Sequence, residues 1–242
     1  MALNSTSFQN AIALITGGNK GIGFEVARQL GDEGLIVLIA ARDKIRGEEA
    51  VRILKNENIQ AKWIELDVTK QETIDNAAQQ VLNDYGRLHI LINNAGILLE
   101  SEPTSETLMT KMRETFETNF FGVFAVTKAF LPLLKNSDKA RIINVSSRMA
   151  SFGKPLVAVP SRLAYRTSKA ALNMMSVQFD KEFRMQNWDI KINRLARTDM
   201  NDNNKAYPPP SQAARVIVHC ATLPDDGPSG KFFDSQKDEM PW

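Results

Sequence analysis

Short apolar runs recur along this chain, each separated from the next by a stretch long enough for one helix: AIALIT (11–16), LIVLIAA (35–41), AKWIEL (61–66), LHILINN (88–94), RIINVS (141–146) and DIKIN (189–193). Unbroken apolar runs of this length fit strands buried on both faces, and the periodic stretches between them fit crossover helices. The alternation predicts an α/β fold, doubly wound, with helices on both faces of a parallel sheet and ligands gathered beyond the carboxyl ends of the strands. A helix near 211–222 and the short run GKFFD (230–234) bring the sheet to about seven strands. No internal repeat and no long linker interrupts the pattern, so residues 1–242 are read as a single domain. The proline-rich stretch NDNNKAYPPPS (201–211) reads as surface loop, because consecutive prolines can neither donate to a ladder nor continue a helix.

Composition narrows the function. With 30 basic against 28 acidic residues the formal charge is only +2, which supplies no broad basic surface for nucleic acid. Cys220 is the single cysteine, so no internal disulfide can form, and a reducing, cytoplasmic setting is expected. The opening MALNSTSFQN has neither a basic region nor an apolar run, and no later stretch approaches the roughly 20 apolar residues of a membrane span. Neither secretion nor a membrane partner is expected.

The turn after the first strand reads TGGNKGIG, Thr16 to Gly23, and leads straight into an amphipathic stretch. Gly17 permits a tight turn, Gly21 lets backbone approach a pyrophosphate, and Gly23 allows close helix packing, with the phosphate at the positive end of the helix. The second strand ends in AARD, where an acidic residue would bind the free ribose hydroxyl of NAD and a basic one the 2′-phosphate of NADP. Arg42 holds that position, and Lys20 inside the turn adds a second cation. Both could equally be solvated surface residues. Asp43 is read as the cap of a helix beginning near Lys44. The reading favours NADP(H).

Tyr165 and Lys169 stand at i and i+4 in YRTSKAALNMMSVQF, on one helical face. A free phenol titrates near pH ~10, and a neighbouring ammonium favours the phenolate. On many helices such a pair is merely solvated. Upstream, strand alternation lets only one of Ser146 and Ser147 face a site. The segment 148–163 contains Pro155 and Pro160 and reads as a substrate loop, with Met149, Phe152 and Val157 either walling a pocket or pinning the loop to the core.

Taken together, Thr16–Gly23 as TGxxxGxG, Asp67 after the third strand, NNAG (93–96), Asn119 in NFFG, Ser147 and Tyr165-x-x-x-Lys169 resemble the short-chain dehydrogenase/reductase family. Within it, GGNKGIG, AARD with a following RG, and the terminal GPSGKFFDSQKDEMPW are similar to NADP-dependent carbonyl reductases. The resemblance implies a Rossmann domain that binds NADP through Gly17, Asn19, Lys20, Gly21, Ile22, Gly23 and Arg42. Asp67 would take the adenine amino group with Val68 beside the ring, and Asn94, Ala95 and Gly96 would line the adenine ribose. It further implies Tyr165 as proton donor and Lys169 on the nicotinamide ribose. Ser147, chosen over Ser146 from the family pattern, would sit on the substrate oxygen, Asn119 on a water that reaches Lys169, and Thr198 on the cofactor. The long segments 105–134 and 164–185 carry apolar residues including Phe116, Phe120, Phe124, Met174 and Phe179. In the family these helices pair across a two-fold axis, which implies a homodimer or homotetramer, with burial inside the monomer as the competing explanation.

The expected activity is NADPH-dependent reduction of an aldehyde or ketone of a small apolar molecule. One departure from the family supports an alternative. KINRLARTDM has no Pro-Gly turn and makes a shorter connection after the sixth strand, so the second expected loop, 194–212, belongs either to an enzyme or to a catalytically weak NADP-binding or partner-binding protein of the same fold.

Overall fold

The computed structural model describes residues 8–153, 162–197, 209–234 and 236–241. Along the chain these form β1 (Ile12–Thr16), α1 (Gly21–Asp32), β2 (Ile36–Ala41), α2 (Lys44–Asn56), β3 (Ala61–Glu65), α3 (Gln71–Tyr85) and β4 (Ile90–Asn93). There follow α4 (Met109–Phe116), a π-turn (Glu117–Phe121), α5 (Gly122–Lys135), β5 (Ala140–Ser147), α6 (Leu163–Met185), β6 (Ile190–Arg197), α7 (Pro210–Ala221) and β7 (Phe232–Phe233). The strands make one parallel sheet in the order 3-2-1-4-5-6-7. The chain winds outward from β1 to β3 and then returns to β4 on the other side of β1. That reversal opens a crevice at the carboxyl ends of β1 and β4.

Both sheet faces are covered, which is why the strands read as unbroken apolar runs. On one face Ile15, Ile39, Ile92 and Val145 pack under Val26 and Leu30 of α1 and Ile217 of α7. On the other, Leu14, Leu38, Leu91 and Ile142 pack under Ile74 of α3, Phe130 of α5 and Phe183 of α6. Neighbouring residues such as Leu14 and Ile15 fall to opposite layers, as a two-residue period requires. Each such side chain removed from water contributes about 1.5–3 kcal/mol.

Local signals place the element ends. The Asp43 carboxylate accepts the Arg46 amide at 3.0 Å and caps α2 at Lys44, as the sequence predicts. The helix α7 starts at Pro210, inside the triple proline expected to be loop, because a first-turn proline needs no amide donor and its φ suits the helix. The larger correction concerns the expected loop 194–212. With no Pro-Gly to end it, β6 continues to Arg197, pairing Ala196 with Ser146 and Arg197 with Ser147. Arg194, buried in this extension, donates to the carbonyls of Asn173 at 3.0 Å and Lys231 at 3.3 Å. The first expected loop is likewise trimmed at both ends, by a 3₁₀ turn at Arg148–Ala150 and by α6 from Leu163. Pro155, Val157, Pro160 and Thr198 lie outside the described residues.

Candidate active site

The β1–α1 turn is built for backbone rather than side chains. Gly21 has φ +56, and a Cβ added there would meet nothing within 4 Å, so its backbone borders open space. Gly23 is the opposite case, because its Cβ would lie 2.5 Å from both Asn94 Nδ2 and the Gly17 carbonyl oxygen. Lys20, the cap residue of α1, makes no side-chain capping bond. The first-turn amides of α1 and the positive end of its dipole therefore suit an anion. Thr16 ties the two central strands together: its hydroxyl donates to the Ile92 carbonyl at 3.3 Å and accepts the amides of Asn94 and Ala95, each at 3.0 Å. The Asn94 amide group donates back to the Thr16 carbonyl at 2.9 Å.

A cleft of about 850 Å³ opens over this junction. It gathers Gly17, Asn19, Lys20, Gly21, Ile22 and Gly23 from the turn, Arg42 from the end of β2, Asp67 and Val68 after β3, and Asn94, Ala95 and Gly96 after β4. All the cofactor-binding candidates named from these four regions share one wall of space. Lys20 and Arg42 are exposed on it, and neither meets a carboxylate among the described residues. Asp67 accepts the Thr69 amide at 3.0 Å and hydroxyl at 2.8 Å in a local turn, while still facing the cleft. The turn, the open backbone at Gly21 and the two cations fit a dinucleotide carrying an extra phosphate.

Ser147, Tyr165, Lys169 and Asn119 are buried and are not part of that cleft's wall among the described residues. They meet where α6 crosses β5. The Lys169 ammonium donates to the Val145 carbonyl at 2.7 Å and lies 6.0 Å from the centre of the Tyr165 ring. Ser146 points into α6, its hydroxyl donating to Asn173 Oδ1 at 2.7 Å, whereas Ser147 Oγ accepts the Met149 amide at 3.2 Å. Alternation thus separates the two serines.

Asn119 falls in the π-turn that joins α4 to α5 within one helical run, where the Gly122 amide reaches back to the Glu117 carbonyl. Such turns re-aim side chains inside helices and are frequent at functional sites. Here Asn119 Oδ1 accepts the Ile97 amide at 2.8 Å, and Nδ2 donates to the Ile97 carbonyl at 2.9 Å and Ser168 Oγ at 3.2 Å. Ser168 in turn donates to the Tyr165 carbonyl at 2.8 Å.

Sequence reading missed Glu100. It lines the cleft, is 6% exposed, and accepts the amides of Ala164 and Tyr165, each at 2.8 Å. Its partners lie more than sixty residues away, so no local pattern marks it. No His/Cys/Asp/Glu group able to hold a metal occurs among the described residues, and no helix among them is long and apolar enough to cross a membrane.

Residues 11–206 match the family profile described as short chain dehydrogenase. Salutaridine reductase of Papaver bracteatum is 32% identical, the alignment covering 92% of this chain and 93% of the relative. Carbonyl reductase (NADPH) 1 of Rattus norvegicus is 30% identical over 98% of this chain and 100% of its own. These alignments run over 291 and 282 positions, beyond the 242 residues here, so both relatives carry segments that this chain lacks. The structure of an NADPH-bound carbonyl reductase from chicken fatty liver matches with a TM-score of 0.85 at 27% identity, over 97% of this chain and all of that one.

Proposed function

The chain belongs to the short-chain dehydrogenase/reductase family, whose members are NAD(P)-dependent oxidoreductases, and from that premise we propose that it reduces the carbonyl of a small, largely apolar aldehyde or ketone with NADPH. The observation that carries the reading is the Lys169 ammonium held 6.0 Å from the Tyr165 ring beside the end of β5. Bound in the cleft, the dinucleotide supplies a hydride to the carbonyl carbon.

The chain's own residues do the rest. Tyr165 gives its phenolic proton to the developing alkoxide, and the Lys169 cation favours the phenolate left behind. Ser147 donates to the same oxygen and holds the carbonyl in place. Asn119 anchors the network through Ser168 and Ile97, and a water on it would lead protons back to Lys169. Lys20 and Arg42 choose NADPH over NADH by pairing with the 2′-phosphate, and Asp67 with Val68 receives the adenine. Phe124 is 44% and Met174 56% exposed on α5 and α6, which supports pairing of these helices in a homodimer or homotetramer. The buried thiol of Cys220 suits a cytoplasmic setting.

A second reading, an NADP-binding protein with weak or no turnover, draws on one observation. The strand β6 runs beside β5 as far as Ser147, where the family pattern has a Pro-Gly turn. Purified protein mixed with NADPH and a panel of aldehydes, alicyclic ketones and quinones, followed by loss of nicotinamide absorbance, separates the two. Turnover of any panel member establishes the reductase, and tight NADPH binding without oxidation across the panel replaces it with the second reading.

A further inference from the structure

The segment leaving β4 is fastened at three points. Thr16 Oγ1 receives the amides of Asn94 and Ala95 at 3.0 Å, Asn119 brackets both backbone groups of Ile97, and Glu100 takes the amides of Ala164 and Tyr165 on its two carboxylate oxygens. The first point borders the cofactor cleft, and the last holds the backbone of the proton donor itself. Resting on the reading of Tyr165 as general acid, we propose that Glu100 is a positioning residue that fixes where the Tyr165 phenol stands relative to the cofactor cleft.

The physical reason lies at the start of α6. A helix leaves its first amides without partners, and Arg162 at the cap position of α6 makes no side-chain capping bond. Without a cap the first turn frays. Tyr165 sits within that turn, so movement there carries the phenol with it, since helical side chains lean back toward the N-terminus. Glu100 supplies the cap from another element. A carboxylate accepting two amides makes strong charge-assisted bonds, and its charge is favourable at the positive end of the helix. Being 6% exposed, it is shielded from competing water. Because the same short segment also carries Asn94, Ala95 and Gly96 on the cleft wall, the spacing between cofactor and acid is written into one stretch of backbone. Displacements of about 1 Å at a reacting group cost on the order of 10²-fold in rate.

The test compares Glu100→Ala, which removes both acceptors, with Glu100→Gln, which keeps one. Turnover is measured on the best member of the carbonyl panel, NADPH affinity by nicotinamide fluorescence, and the Tyr165 ring resonance by NMR, assigned through its loss in Tyr165→Phe. In E100A, kcat is expected to fall about 10- to 100-fold, with E100Q between it and wild type, KM and NADPH affinity within about two-fold, and the Tyr165 resonance displaced. Unchanged kcat, or a loss confined to KM or stability with the Tyr165 resonance unmoved, overturns the proposal. If wild type reduces no carbonyl, the functional reading fails separately. The Tyr165 resonance still decides for Glu100, in E100Q should E100A not fold: displaced, it supports the positioning role, and unmoved it removes it.

Discussion

The Lys169 ammonium lies 6.0 Å from the centre of the Tyr165 ring and is held there by the Val145 carbonyl at 2.7 Å, one helical turn of α6 having brought the two side chains together beside β5. A cation so placed stabilises negative charge on the phenol. Tyr165→Phe keeps the ring and removes the proton, so turnover should fall about 10²- to 10⁴-fold, the range for losing a general acid. NADPH affinity should change little. Wild-type turnover in the variant, read by NADPH consumption, would take Tyr165 out of the chemistry.

The proposed preference for NADPH assigns the choice to Arg42 and Lys20, both exposed on the cleft. A charge-assisted bond to a phosphate is worth about 1.5–3 kcal/mol, or roughly 10- to 150-fold in an equilibrium constant. Arg42→Asp should therefore weaken NADPH by about that factor while leaving NADH binding equal or improved. Equal loss for both cofactors would mean that Arg42 does not read the 2′-phosphate.

Two glycines in one turn should fail differently. Ala at position 23 puts a methyl group 2.5 Å from the Gly17 carbonyl, a backbone group that cannot step aside, so Gly23→Ala should cost about 1–3 kcal/mol of stability. At position 21 the methyl meets no protein atom, and only the positive φ costs, about 1–2 kcal/mol. The methyl would stand instead where the phosphate approaches, so Gly21→Ala should lose NADPH affinity out of proportion to stability. Urea denaturation and NADPH titration on both variants read the contrast, and parallel losses would contradict it.

How far the sequence revealed this molecule depends on how local each signal is. The strands are continuous apolar runs, Asp43 is followed by its helix, and the spacing of Tyr165 and Lys169 is itself a helical turn, so all of these are legible in a line of letters. The π-turn at Asn119 is not, because it is a one-residue excess inside a helical pattern. Glu100 is invisible for a different reason: its partners are amides, which no side-chain type announces, sixty-four and sixty-five residues away. The run of β6 past Arg194 was hidden by expectation. A buried arginine argues against a central strand, and its bonds to the carbonyls of Asn173, Gly230 and Lys231 make it tolerable.

That arginine yields its own prediction. Burial lowers the Arg194 pKa to about 10, against opposing pulls from Asp180 and Glu239. Its guanidinium holds α6 and the β7 region through backbone carbonyls, so Arg194→Ala leaves a cavity and unpaired acceptors together. The expected loss is about 2–4 kcal/mol, seen as a lower urea midpoint. A midpoint unchanged within error would show that β6 does not depend on it.

Cys220 gives the pH test. Its thiol is buried in α7, and burial pushes its pKa up to about 12 from 9.0, with Lys237 pulling slightly the other way. Below about pH 9 the folded and unfolded chains both carry the neutral thiol, and its contribution is constant. Above that, the unfolded chain gives up the proton while the folded one keeps it, so stability drains away as pH rises until the folded thiol also titrates. The slope in that window is about 1.4 kcal/mol per pH unit from this group alone. Cys220→Ala removes this titrating group, so its urea midpoints near pH ~8 and ~10 should differ less than those of wild type. Alkylation by iodoacetamide at neutral pH should likewise be slow in the native protein and rapid in urea, since the reactive thiolate forms only where water reaches the sulfur. Equal pH slopes in the two proteins would place Cys220 in contact with solvent.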